Sequence, residues 1–333
     1  MKLSRFIQIE PKATKGLFLA EWAMLVYLVL TTLLIVFCYT KVQNPEAMLW
    51  GRLRILFTTG ALYAVYRMMP CRLTRLARIV VQMAFLSWWY PDTYELNRMF
   101  PNLDHIFATW EQQLFGSQPA LYFSQLFGES SSALSHIVSE LMDLGYASYY
   151  PMIATVVVFY FLCRYEEFQR AAFVVMATFF IYYIIFVALP VVGPTFYYQA
   201  VGLEDIAQGI FPNLGDYFNH HQECLPSPGY TDGFFYHLVE DAKAAGERPT
   251  AAFPSSHVGV STVLMFLSWH SRSRRLFFIL LPLFVLLCLS TVYIQAHYAI
   301  DALAGLLTGA AFYALLMYLT KKPQASKTRK QRK

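Results

Sequence analysis

The chain has 333 residues, of which 57% are hydrophobic and only 14% are charged, and its net charge is +5. A soluble domain carries about a quarter charged residues, so this composition excludes an ordinary soluble protein. The basic residues lie in short clusters and a C-terminal tail rather than in a folded basic domain, so we expect no nucleic-acid partner.

Apolar segments long enough, or nearly long enough, to cross a bilayer predict an all-α polytopic membrane protein with about eight transmembrane helices. In chain order they lie at 17–39, 55–70, 76–91, 146–163, 171–192, 254–270, 276–294 and 298–319. The first follows a basic stretch but lacks a small-residue cleavage site, which favours a retained helix over a signal peptide. The weakest, 76–91, could instead lie in the membrane interface.

The distribution of basic residues predicts the orientation of the chain. With the N-terminus inside and eight crossings, 20 of the 26 Lys and Arg residues face the cytoplasm, whereas the opposite topology leaves six there. Two long segments, 92–145 and 193–253, then face outward. The first is rich in aromatic and apolar residues, a composition that predicts helices lying on the outer interface.

Residues 295–301, QAHYAID, place a histidine and an aspartate in an otherwise uncharged stretch, 276–319. The spacing of His297 and Asp301 predicts that they share one helix face, one turn apart. An aspartate so placed can accept a hydrogen bond from one imidazole nitrogen and leave the other as a nucleophile or base. Ionisable residues at membrane depth are costly, so we interpret this pair as functional.

A second polar cluster stands in TAAFPSSHVGVS, residues 250–261. Pro254 suits the first turn of a helix, and Ser255, Ser256 and His257 then occupy its N-terminus. Free backbone N–H groups there favour a phosphate. In the predicted topology His257 lies on the same outer face as the later pair.

Three other interpretations stay open at this point. The later His and Asp could be a buried polar pair that joins neighbouring helices. With the earlier histidine, they could form a metal site of two His and one Asp. They could also serve a transporter as a proton relay, although repeats or broken helices at the midplane would then be expected.

FPSSH, followed 40 residues later by HYAIDALAG, resembles the type 2 phosphatidic acid phosphatase superfamily. Its members carry a P-S-x-H motif and a later H-x-x-x-D at the outer ends of core helices. The resemblance implies a six-helix catalytic core over 146–320. The chain before it, 1–145, would hold N-terminal transmembrane helices and the outer interfacial segment, and 321–333 would be a basic cytoplasmic tail.

The resemblance also implies roles for individual residues. His297 would attack phosphorus to give a phosphohistidine, Asp301 would orient it, and His257 would act as acid and base. Ser255 and Ser256 would hold phosphate oxygens. No metal or other cofactor is implied, and the active site would lie on the non-cytoplasmic face.

The sequence departs from the phosphatases of this superfamily at two places, and these departures indicate which branch it resembles. Thr291 stands where they carry an arginine, and 186–198, FVALPVVGPTFYY, lacks their Lys and Arg. A site with fewer cations suits a phosphodiester better than a dianionic monoester. LPVVGP, FPSSH and HYAIDALAG are similar, in that order, to the inositol phosphorylceramide synthases.

That branch implies transfer of phosphoinositol from phosphatidylinositol to ceramide, so the expected partners are the donor phospholipid, the acceptor ceramide and membrane lipids. The oligomeric state does not follow from the sequence. A lipid phosphatase on the same scaffold is the alternative function, in which Arg98 could replace a missing cation.

Overall fold

The computed structural model of the protein describes residues 4–11, 13–128 and 132–321. Lys2 and Lys12 of the N-terminal basic stretch lie outside the described residues, as does the predicted basic tail beyond Lys321. The described chain is helical, with about 74% of residues in helices and no strand among them. The predicted all-α class is therefore confirmed.

The described residues of the first half of the chain form eight helices. They are α1 (Ser4–Ile7), α2 (Leu19–Phe37), α3 (Pro45–Met68), α4 (Arg72–Ala84), α5 (Leu86–Asn97), α6 (Asp104–Phe115), α7 (Pro119–Gly128) and α8 (Ala133–Ala147).

Eight more helices follow, with one short 3₁₀ turn at Tyr217–Asn219. They are α9 (Tyr149–Cys163), α10 (Tyr165–Ala188), α11 (Pro194–Val201), α12 (Leu203–Ala207), α13 (Phe234–Gly246), α14 (Ser256–His270), α15 (Arg274–Tyr293) and α16 (Ala299–Leu319).

Four described helices, α2, α10, α15 and α16, are long and apolar enough to cross a membrane. A fifth span is formed if α8 and α9, which meet at a bend of 47°, count as one. Large apolar side chains on these helices point outward, as lipid contact requires: Phe37, Phe278, Ile279 and Leu307 are all more than half exposed. The protein is therefore an integral membrane protein.

The predicted number of eight spans is not confirmed. The segment 76–91 is divided between α4 and α5, and 254–270 corresponds to α14, which has 15 residues. At 1.5 Å per residue, such a helix covers about 22 Å of a hydrocarbon core about 30 Å thick. The segment 55–70 belongs to α3, whose charged residues, including Arg52 and Arg54, reduce its hydropathy.

Glycines bring α14 and α16 into close contact. A Cβ on Gly305 would lie 2.6 Å from the carbonyl oxygen of Ser255, and a Cβ on Gly309 would collide with the backbone of Gly259. Small residues four apart allow two helix backbones to approach closely in a membrane. This contact places the start of α14 beside the start of α16.

The helix α6 covers the ends of α14 and α16 that meet at this contact. Its buried face presents Asp104, Phe107, Ala108 and Glu111, whereas Trp110 is 54% exposed. Phe107 packs against Phe253 with ring centroids 4.6 Å apart. The described part of 92–145 is thus largely helical, and one of its helices contacts the loop before α14.

Candidate active site

His297 lies in the turn between α15 and α16, not on a helix. The turn is fixed by its backbone: the N–H of His297 donates to the carbonyl of Thr291 at 3.0 Å, and the carbonyl of Gln295 accepts from the N–H of Thr195 at 2.7 Å. Gln295 has a positive φ of 62° and donates from Nε2 to Ser124 Oγ at 2.9 Å. The expectation that His297 and Asp301 share a helix face is wrong, because α16 begins only at Ala299.

The carbonyl of Ala252 holds the imidazole of His297. His297 Nδ1 lies 2.9 Å from this oxygen, which can only accept, so Nδ1 carries the proton. Nε2 is then unprotonated and keeps its lone pair. The contact fixes the tautomer that a nucleophile at Nε2 needs.

Asp301 lies near this ring but makes no hydrogen bond to it. Its Oδ2 is 3.7 Å from His297 Nδ1, too far for a hydrogen bond. The same oxygen accepts from the N–H of Tyr298 at 2.9 Å and so caps α16. The carboxylate is fully buried, and its Oδ1 has no hydrogen-bond partner among the described residues.

His257 faces the unprotonated nitrogen of His297 from the first turn of α14. Its Nδ1 lies 3.4 Å from His297 Nε2, and the ring centroids are 5.6 Å apart. Tyr146 and Tyr149 pack against the His257 ring, with centroid distances of 4.8 and 4.4 Å. The two histidines, 40 residues apart in sequence, therefore meet at one point.

The two serines before His257 have different surroundings. Ser255 is the N-cap of α14: its Oγ accepts from the N–H of Val258 at 3.3 Å, and its own N–H donates to the carbonyl of Asp301 at 3.0 Å. Ser255 is fully buried, whereas Ser256 is half-buried. The backbone N–H groups of Ser256 and His257 lie in the first helical turn, where no intrahelical acceptor exists. They are the better placed donors for an anion.

Two carboxylates of α6 reach the same place. Asp104 accepts from the N–H groups of Val192 and Gly193 at 2.7 and 2.9 Å and from the hydroxyl of Tyr298 at 3.1 Å. Glu111 accepts from the N–H groups at the start of α16. Both side chains are fully buried. Sequence reasoning placed neither residue in the site.

Burial sets the protonation of the groups at this junction that lie outside the spanning helices. Burial lowers the pKa of His297 to about 4, although the Ala252 carbonyl and the Glu247 carboxylate oppose this shift. Burial and the nearby charge of Asp301 raise the pKa of Glu111 to about 8. At neutral pH His297 is therefore a neutral imidazole, as a nucleophile requires.

The arginine that a phosphatase would use is replaced by Thr291, and its possible replacement, Arg98, binds other groups. Thr291 donates from its hydroxyl to the carbonyl of Cys288. Arg98 donates to Gln43 and to the carbonyl of Asn219 and lies over the ring of Tyr94, so it does not serve as a replacement. No group of three or more His, Cys, Asp or Glu side chains among the described residues could hold a metal ion.

Sequence reasoning missed three features of the site. The carbonyl of Ala252 gives no signal in a sequence, because every residue has one. Tyr146 and Tyr149 lie in an apolar helical pattern that also fits lipid contact. Asp104 and Glu111 did give a signal, since two acidic residues seven apart share one face of an otherwise apolar helix.

These features define an integral membrane protein with a paired-histidine site where the starts of two packed core helices meet. A family model of the PAP2 superfamily matches residues 124–315, which is more than half of the chain. The chain belongs to this superfamily and is therefore a lipid enzyme of the phosphatase or phosphotransferase type. No curated protein and no solved structure matches it.

Proposed function

We propose that the protein is a metal-independent phosphotransferase that moves phosphoinositol from phosphatidylinositol to ceramide. The observation that carries the chemistry is the hydrogen bond of His297 Nδ1 to Ala252, which leaves Nε2 as a free nucleophile beside His257. The shortage of cations supports a phosphodiester donor over a dianionic monoester.

In the first step, His297 Nε2 attacks the phosphorus of the donor lipid. The N–P bond forms, the bond from phosphorus to the diacylglycerol oxygen breaks, and His257 gives its proton to that oxygen. Asp301, 3.7 Å from Nδ1, stabilises the positive charge that develops on the ring of His297. The N–H groups at the start of α14 hold the phosphate oxygens.

In the second step, the primary hydroxyl of ceramide attacks the phosphohistidine. His257 takes the hydroxyl proton, the new O–P bond forms, and the N–P bond breaks. Both histidines return to their starting protonation states. Water must be excluded for transfer to prevail over hydrolysis, and the α6–α7 and 193–253 segments supply a cover.

The two imidazoles must separate for this reaction to proceed. Their nitrogens are 3.4 Å apart, whereas phosphorus and a leaving oxygen have to lie between them. A nucleophile in an attack geometry is itself about 3–3.5 Å from its target. We expect substrate to enter between the rings and displace His257 along the faces of its two tyrosines.

Purified protein in lipid nanodiscs, given labelled phosphatidylinositol and ceramide with a chelator present, tests the proposal. We expect inositol phosphorylceramide and diacylglycerol by mass spectrometry, and no turnover from a correctly inserted His297→Ala variant. Release of inositol phosphate with ceramide untouched would identify a hydrolase instead. Normal activity of His297→Ala would refute the phosphohistidine mechanism.

A further inference from the structure

Glu111 binds the start of α16, the helix that follows the proposed nucleophile. Its Oε1 accepts from the N–H of Ala299 at 2.5 Å and from that of Ile300 at 3.4 Å. These donors lie in the first helical turn and have no intrahelical acceptor. A side chain from α6 thus fixes a helix end that begins two residues after His297.

The two acidic residues of α6 differ in how their oxygens are used. Asp104 binds four donors, from Asn102, Val192, Gly193 and Tyr298. Glu111 Oε2 has no hydrogen-bond partner among the described residues, although the side chain is fully buried. A buried oxygen without a partner is destabilising. The packing of α6 does not need a second buried carboxylate, because the hydrogen bonds of Asp104 already hold the helix in place.

The free oxygen of Glu111 has a counterpart in Asp301. Asp301 Oδ1 is also buried and unpartnered within the described chain. The charge of Asp301 acts on Glu111 strongly enough to help raise its pKa. Two buried carboxylates this close avoid mutual repulsion when one of them holds a proton.

We infer that Glu111 is a positioning residue for the reaction: it fixes the first turn of α16, and through it Asp301 and the turn that carries His297. The inference rests on the proposed function of His297. The Ala252 and Thr291 carbonyls hold the imidazole and the backbone of His297. Glu111 secures the other side of that turn, where α16 begins. A displacement of about 1 Å at a reacting group can cost a hundredfold in rate.

Two substitutions at Glu111 distinguish the effect of its hydrogen-bond acceptor from the effect of its side-chain volume. Glu111→Leu fills nearly the same space but leaves the two N–H groups without an acceptor, so we expect kcat to fall about a hundredfold with KM within about threefold. Glu111→Gln keeps a neutral acceptor oxygen and should recover most of the lost turnover. The rate of His297 phosphorylation in a single turnover should follow the same order.

Gln118, in the loop between α6 and α7, provides a matched control. It is buried, donates to the Ala108 carbonyl and accepts from the Tyr198 hydroxyl, and none of its hydrogen bonds reaches α16. Gln118→Leu should lower the melting temperature about as much as Glu111→Leu, with kcat within about twofold of the unaltered protein. Equal loss of kcat in both Leu variants, or no rescue by Gln, would overturn the inference.

A second measurement does not depend on any substrate. The imidazole nitrogens of His297 give NMR signals that report its hydrogen bond and position, and we expect Glu111→Leu to shift them while Gln118→Leu leaves them unchanged. Unshifted signals in Glu111→Leu would refute the inference. If His297→Ala is active but the signals shift as expected, the proposed function fails while the positioning contact stands.

Discussion

At the scale of single residues, the site depends on one tautomer. His297 can act as a nucleophile only through a nitrogen that lacks a proton, and the Ala252 carbonyl determines which nitrogen that is. A backbone carbonyl cannot lose this ability by titration. Asp301 instead caps α16, with its Oδ2 3.7 Å from His297 Nδ1.

The first prediction concerns the acid titration of His297. Burial lowers its pKa from the usual 6.5 to about 4, so the neutral nucleophile should persist well below the pH at which a free histidine protonates. A pH titration of the His297 imidazole signals by NMR checks this, with the assignment taken from the signal that is lost in His297→Gln. A midpoint near 6.5 would show that the ring is not buried as described.

The same shift has a consequence for stability, because the folded chain binds the proton of His297 less tightly than the unfolded chain does. As pH falls from about 6.5 to about 4, the unfolded state takes up this proton first, so His297 destabilises the fold progressively across that window. His297→Gln should therefore show a smaller loss of melting temperature between these pH values than the unaltered protein.

At the scale of elements, the packing of α14 on α16 brings the two histidines together. Each helix contributes its first turn, and the glycines let the two backbones approach until Ser255 N–H donates to the Asp301 carbonyl. Because this bond joins the starts of both helices, any separation of α14 from α16 moves His257 away from His297.

The second prediction tests this contact with one methyl group. Gly305→Ala places a Cβ 2.6 Å from the Ser255 carbonyl oxygen, so the helices must move apart, and overpacking of this kind costs about 1–3 kcal/mol. We expect a lower melting temperature together with reduced turnover. Gly60→Ala, in α3, is the control, because a Cβ there meets nothing within 4 Å and alanine favours a helix. Equal behaviour of the two variants would contradict the proposed role of the close contact.

Features that depend on neighbouring residues could be predicted from the sequence, whereas features that depend on contacts with distant segments could not. A helix start near residue 255 follows from local helix chemistry and is observed, but Pro254 lies before the N-cap Ser255 and not in the first turn as predicted. The position of His297 in a turn does not follow from local chemistry. Hydrogen bonds with distant segments hold this turn: the N–H of Thr195 donates to the Gln295 carbonyl, and Gln295 donates to Ser124. These bonds make helix formation before Ala299 unfavourable. Periodicity alone cannot reveal such bonds.

At the scale of the whole molecule, the site is larger than the part of the chain that matches the family. The match begins at residue 124, yet α6 lies before it and supplies Asp104 and Glu111 to the loops around His297. The N-terminal helices are therefore not only a membrane anchor. We propose that 1–145 and the catalytic core over 146–320 form one functional unit.

The last prediction concerns the side of the membrane that the site faces. The helix α9 starts beside the site, where Tyr149 contacts His257, and ends at the exposed Cys163 about 22 Å away. The distribution of Lys and Arg predicts that the Cys163 end is cytoplasmic. Ile206 of α12 packs in the same apolar cluster as Tyr298. The exposed residue beside it, Ala207, therefore lies at the same end of the molecule as the site.

Labelling with a membrane-impermeant maleimide measures this arrangement. One protein retains Cys163 alone, and a second lacks all native cysteines and carries Ala207→Cys. Cys163 should react in inside-out vesicles only, and the introduced cysteine in right-side-out vesicles only, because the Lys and Arg residues next to Cys163 predict that this end is cytoplasmic. Labelling of both from the same side would contradict a site that lies across the membrane from Cys163, and the reverse pattern would place the lipid chemistry in the cytoplasmic leaflet.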